Sequence, residues 1–349
     1  MKAFKKTNQI LFFILVFFVL LYFGAPFLVP FIFGVFFAAL MTPFSNMLEK
    51  VRASRGLSSL GSTLVIFIVV GSILYLLVKQ ISLFVSDISL LRDEIQVLIQ
   101  NFQAQIASFL NISLEEQKEI WQSRSADIIN RIEIALTTFL GNILNTTAGF
   151  LLMLVYTFLL LYYRDKFAHA LMQYFDKPKE AEVQEVIKNV SRVVHHYLWG
   201  RAKVMAMLGI MYYITFLIFD IPYAGLLTIF GALITIIPYV GPLISGILPI
   251  LFGIIYLQEI YIILLFILII ITEQLVESYV FEPLIIGREV KINPLIVIIA
   301  ITLGGMIWGL AGMILFVPLF AVFKIISSHT PGLEPLGYFL GPSKQPAKD

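Results

Sequence analysis

The sequence predicts an all-α integral membrane protein. About seven or eight helices are expected to cross the bilayer, with broken or re-entrant helices in the C-terminal half and a helical insertion outside the membrane. Three observations carry this prediction. Of 349 residues, 59% are apolar and 13% charged, with a mean hydropathy of +0.93; soluble domains hold about 25% charged and 45–50% apolar residues. Apolar runs recur along the whole chain, at 9–24, 26–41, 60–79, 139–163, 203–220, 222–257, 260–279, 294–309 and 310–327. The basic residues between them alternate as the loops of a multi-pass protein require.

At the N-terminus, Lys2, Lys5 and Lys6 precede an apolar run from Ile10 to Phe23, the pattern of a cleaved signal. A second run begins at once after Gly24-Ala25-Pro26, which favours a retained membrane segment folded as a hairpin across 9–41. That hairpin returns to Lys50, Arg52 and Arg55, giving N-terminal membrane helices over 1–79 with 60–79 as a full span. Residues 80–138 form an extracytoplasmic insertion with four basic residues (Arg92, Lys118, Arg124, Arg131) against eight acidic ones. Within it Ile81, Ile88, Ile95, Phe102 and Phe109 recur every seven residues, a helix seam for another subunit or for 112–138 of the same one.

The span 139–163 leads to a cytoplasmic amphipathic segment over 164–202. Eight basic residues fall in 164–203, and Val183, Val186, Ile187, Val190, Val193, Val194 and Tyr197 make an apolar stripe. Such a stripe lies on the cytoplasmic membrane surface or packs beneath the bundle. Residues 203–327 form a core with broken helices, and 328–349 a cytoplasmic tail. Several pieces here are too short for the roughly 20 residues of a full span and abut across Gly or Pro, so they read as tight hairpins or half-helices. Both termini are expected in the cytoplasm.

Between Asp220 and Glu259, prolines 222, 238, 242 and 249 interrupt the apolar sequence. Proline removes a helix hydrogen bond, and in lipid the freed carbonyls need protein or a water-lined cavity. Pro238-Tyr239-Val240-Gly241-Pro242 therefore marks a broken helix of the kind that builds transporter sites. A kink that only shapes packing is the alternative. Ile221-Pro222-Tyr223-Ala224-Gly225 resembles Ile237-Pro238-Tyr239-Val240-Gly241 sixteen residues later, a repeat too weak to build on.

From Tyr261 the chain is uncharged until Glu273, roughly 18 Å along a helix. Glu273 and Glu277 share one helix face, with Gln274 beside them. Acids at membrane depth are costly and are functional candidates, unless this end of the helix is already solvated at the interface. Gly305 and Gly309 have GxxxG spacing and suit close helix packing.

The chain has no cysteine, which excludes disulfides, thiolate metal sites and a cysteine nucleophile. His169, His195, His196 and His329 show no ligand spacing, and no metal or other cofactor is expected. A net charge of +2 without a basic block gives no sign of nucleic acid. The sequence carries no phosphate-binding loop, zinc-protease pair, nucleophile elbow or voltage-sensing arginine ladder, and enzymatic activity is not expected.

Pro238-Tyr239-Val240-Gly241-Pro242, with Glu277, Glu282-Pro283, Gly287, Pro294, Gly304-Gly305, Gly309, Gly312 and Pro318, resembles the AI-2E family of bacterial membrane proteins. The order of parts also fits: an N-terminal hairpin, a helix-rich insertion after the third span, then a broken-helix half. Leu284 follows Glu282-Pro283, where family members typically place Lys or another residue. The resemblance implies export of a small solute from a bacterial inner membrane, with autoinducer-2 as namesake, proton or sodium coupling in some relatives, and homo-oligomers. The expected pathway residues are Pro238, Tyr239, Gly241, Pro242, Glu273, Gln274, Glu277, Glu282 and Pro283. A monovalent cation/proton antiporter, or an assembly protein working through 80–138, would fit the same fold.

Overall fold

The computed structural model describes residues 2–87, 130–142, 147–173, 180–257, 259–286 and 292–342. Among them all regular structure is helical: α1 (Lys2–Phe23), α2 (Ala25–Lys50), α3 (Arg55–Ser86), α4 (130–142), α5 (Thr147–Gln173), α6 (Glu180–Ile218), α7 (Ala224–Ile234), α8 (Val240–Tyr256), α9 (Ile260–Val276), α10 (Pro294–Ser328) and α11 (Glu334–Leu340). A wider π-helical stretch, Glu277–Ile286, continues α9. Pro283 within it has no N–H to donate, and its ring crowds the preceding turn.

Among the described residues, six helices are long and apolar enough to cross a membrane, while α7 and α8 are shorter. The sixth, α10, needs a closer reading. Its 35 residues would extend about 52 Å if straight. Trp308 (φ −127°, ψ 15°) and Gly309 (φ 59°, ψ −139°) leave the helical region. Beyond them Ile296 and Ala321 share one apolar cluster. The chain therefore doubles back, with arms 294–307 and 310–328. At 1.5 Å per residue the first arm is roughly 21 Å, short of a hydrocarbon core of about 30 Å. The abutting apolar runs 294–309 and 310–327 are thus a tight helical hairpin. Gly304 and Gly312 set its spacing, since a Cβ on either would collide with the backbone of the other.

The chain forms two compact units. The first comprises 1–68, 148–204 and 281–349. In it α1 and α2 meet at Gly24, whose right-handed backbone (φ −79°, ψ −2°) donates to Leu20 O at 2.8 Å, so the joint is a helical bend. Gly34 lets α2 approach α5; a Cβ there would sit 2.7 Å from that of Tyr156. Where α2 ends and α3 begins, Arg164 of α5 bonds Glu49 at 2.8 Å and Ser45 at 3.0 Å, and Arg55 pairs with Asp165. Residues 334–340, expected in a tail, form α11: Leu340 joins Ile292, Ile296 and Ala321, and its carbonyl accepts from Asn293 N–H at 2.9 Å.

The second unit comprises 69–147 and 205–280. Its core joins Leu208, Tyr212, Phe216, Leu227, Phe252, Phe266 and Ile270. A second hairpin, α7–α8, turns at 235–239 around Pro238, and Gly253 of α8 lies against the Phe266 ring. The seven-residue pattern meets the structure only at its start. α3 runs on to Ser86, so no break falls at 79/80. Ile81 and Phe84 are buried in the same unit's core, and the later positions lie outside the described residues. The expected boundary at 202/203 also falls inside a helix: without proline between 180 and 218, α6 carries the amphipathic stripe directly into the apolar span.

Candidate functional site

In the second unit, α6, α8 and α9 bring polar side chains together in an otherwise apolar interior. Tyr212 and Thr215, three residues apart on α6, share a face. Tyr212 is fully buried, its ring fitting over Gly231 of α7, where a Cβ would stand 3.1 Å from it. Its hydroxyl donates to Ser245 O at 3.0 Å. The Gln274 amide donates to Ser245 Oγ at 2.8 Å and also to Tyr212 Oη. Ser245 Oγ in turn donates to Pro242 O at 3.2 Å, in the first turn of α8. Thr215 Oγ1 donates to Glu273 Oε1 at 2.6 Å.

The accounting leaves two acceptors over. Glu273 is 5% exposed, yet its Oε2 has no hydrogen-bond partner, and neither has Gln274 Oε1. Buried oxygens are ordinarily satisfied, and the cost of leaving a carboxyl oxygen bare is large. A proton, a cation or the hydroxyl of a polar solute would complete both.

The sequence-predicted residues divide. Glu273, Gln274 and Pro242 belong to the cluster, while Pro238 and buried Gly241 shape the turn above it. Gly241 has no room for a side chain, because a Cβ would strike Ile234 O and Thr235. Glu277, one turn beyond Glu273, is fully buried where α9 widens. Tyr239 precedes α8 with φ 63° and is 57% exposed, outside the cluster. In the first unit, Glu282 pairs with Arg201, which is 3% exposed, and Pro283 lies in the π-helical stretch beside it. Gly200 lets α6 pass the Ile286 backbone, where a Cβ would sit 3.3 Å from Ile286 Cα.

Sequence reasoning missed Tyr212, Thr215, Ser245 and Arg201. Arg201 carried a signal, as a charge at the threshold of an apolar run. Tyr212 and Thr215 carried only their spacing, and Ser245 only its place between prolines.

Comparison with known proteins joins this arrangement to a lineage. The chain is 30% identical over 144 residues to YrrI, a candidate transport protein of Bacillus subtilis (41% of this chain, 40% of YrrI). It is 29% identical over 211 residues to YueF of the same organism (56% and 57%). The AI-2 transport protein TqsA of Escherichia coli matches at 23% identity over 323 residues (91% and 90%). The chain thus spans less than two thirds of the Bacillus relatives and nearly all of TqsA. The AI-2E transporter family itself matches across residues 11–332, taking in both hairpins and every residue of the polar cluster, so this multi-span membrane protein belongs to the AI-2E family of transporters.

Proposed function

We propose that the protein is a carrier of the bacterial inner membrane that exports a small polar solute, with the cluster of Tyr212, Thr215, Ser245, Glu273 and Gln274 as its binding site. One observation carries the reading: two buried oxygens, Glu273 Oε2 and Gln274 Oε1, lack partners beneath a broken helix. Broken helices at membrane depth place backbone and side-chain groups around a substrate. TqsA is named for AI-2 transport, and a hydroxyl-rich solute of that kind suits a site of amide, hydroxyl and carboxyl groups. Export from the cytoplasm, both termini on that side and a homo-oligomeric assembly complete the proposal.

The Glu273 carboxyl also favours a second reading, a monovalent cation/proton antiporter, because its open oxygen is a place for a proton or sodium. Proteoliposomes of the purified protein separate the two. Furanone solutes and sodium gradients are applied to wild type beside Glu273→Gln and Glu277→Gln. Solute flux lost in Glu273→Gln, with the protein still inserted and folded, supports the carrier. Sodium-driven proton movement without solute flux supports the antiporter. Neither signal in wild type sinks both and turns attention to partner binding through 80–138.

A further inference from the structure

The valine stripe of α6 has no part in the polar cluster, and it lines a cavity in the first unit. The cavity, about 630 Å³, is walled by Val35 and Phe36 of α2, Leu171 of α5, Val190 and Val194 of α6 and Val322 of α10. Beside it is a second space of about 550 Å³. Ala39, Ile187 and Ser191 line both, so the two adjoin. Their surfaces differ in chemistry. The first is almost wholly apolar, while the second carries Lys188, Arg192, His195, Thr42 and Gln184 and no acidic side chain among its described lining residues. Neither Lys188 nor Arg192 is ion-paired to a described residue. His195 Nδ1 is buried without a hydrogen-bond partner. Gln184 bonds Met172 Sδ at 3.2 Å, tying α6 to α5 at this mouth.

An apolar slot opening on unpaired cations describes an amphiphile with an anionic head. A hydrocarbon chain is narrow enough to enter this slot. Basic pockets between transmembrane helices are where anionic phospholipid head groups bind.

We propose that this cavity holds an acyl chain of an anionic phospholipid whose phosphate is received by Lys188 and Arg192. The chain lies along the α6 valines between α2 and α10, and Ser191 and His195 offer further polar contacts at the head.

Native mass spectrometry of the full chain tests this, using equal amounts of phosphatidylglycerol and phosphatidylcholine with matched acyl chains. Wild type is expected to retain phosphatidylglycerol preferentially. Lys188→Ala with Arg192→Ala should cut that preference about thirtyfold, from about 1 kcal/mol per basic residue near an anionic surface. Val190→Trp should remove adducts of both lipids by filling the slot. Lys166→Ala, a basic residue over the Tyr163 ring, should change nothing, and unaltered circular dichroism shows which variants remain folded. Wild-type phosphatidylglycerol-dependent gain in thermal midpoint, absent with phosphatidylcholine, supports the site even if a variant fails to fold. Equal retention of the two lipids by wild type, preference surviving the double substitution in folded protein, or displacement by millimolar inorganic phosphate would each overturn the proposal.

Discussion

The α7–α8 hairpin and the α10 hairpin hold their chains folded back in different ways. Both turn an apolar run on itself, and carbonyls freed by such a turn need protein partners where lipid replaces water. The first is tied by polar side chains: Thr235 Oγ1 donates to Ala232 O at 2.8 Å, Ser245 Oγ to Pro242 O, and Tyr212 to Ser245 O, the carbonyl that Pro249 leaves without its helical donor. The second is held by closeness. Gly304 and Gly312 put the two arms in backbone contact, Gly309 supplies the positive φ of the turn, and Trp308 Nε1 donates to Leu21 O at 2.8 Å. Trp308 also meets Phe316 edge-on, with ring centroids 5.3 Å apart. A turn held by hydroxyls and amides has exchangeable partners, as the proposed binding site requires. A turn held by glycine contact has nothing to exchange, and it acts as a strut.

Substitutions that put each hairpin under the other's rules sharpen the contrast. The largest effect is expected at Gly312→Leu, which wedges the strut apart and should cost about 3 kcal/mol or more. A thermal melt in detergent reads this as a large fall in midpoint, and an unchanged midpoint would mean the arms do not touch. Ser245→Ala comes next. It takes the acceptor from Gln274 and the donor from Pro242 O, and should lower stability by about 1–2 kcal/mol while abolishing solute flux. Flux at the wild-type rate with only the stability loss would reduce the cluster to a structural one. Tyr239→Phe should be the mildest, within about 0.5 kcal/mol, because the side chain is mostly exposed. Wild-type flux in that variant leaves the Tyr239 hydroxyl outside the path, and a loss would bring it in.

The hairpins were legible because their punctuation is local. Pro238 to Pro242 interrupt the long apolar run 222–257, the glycines of 304–312 divide two short ones, and each break became a turn. Glu273 and Gln274 were legible for a related reason, since polar groups are conspicuous in an apolar run. What could not be read were relations between distant residues. Tyr212 follows Met211 in an apolar helix with nothing to separate a packed tyrosine from one bonded to Ser245, 33 positions away. Helix ends misled wherever charge changed without a breaker. At 202/203 the composition shifts, yet the backbone needs no interruption, and α6 runs through. At Leu340 the reverse held: a short apolar stretch after Gly332 looked like tail because its partners, Ile292 and Ile296, lie over forty residues earlier.

That last contact bears on how the chain is made. The base of the α10 hairpin is shut by residues translated after it, through the Asn293–Leu340 backbone bond and the apolar contacts of α11. As the ribosome delivers residues 294–328, their two arms enter the insertion machinery with no lock yet available. Until Leu340 has left the exit tunnel, the base of that hairpin lacks these closing contacts. A pause or truncation before that point would give the quality-control proteases of the membrane an open hairpin to find.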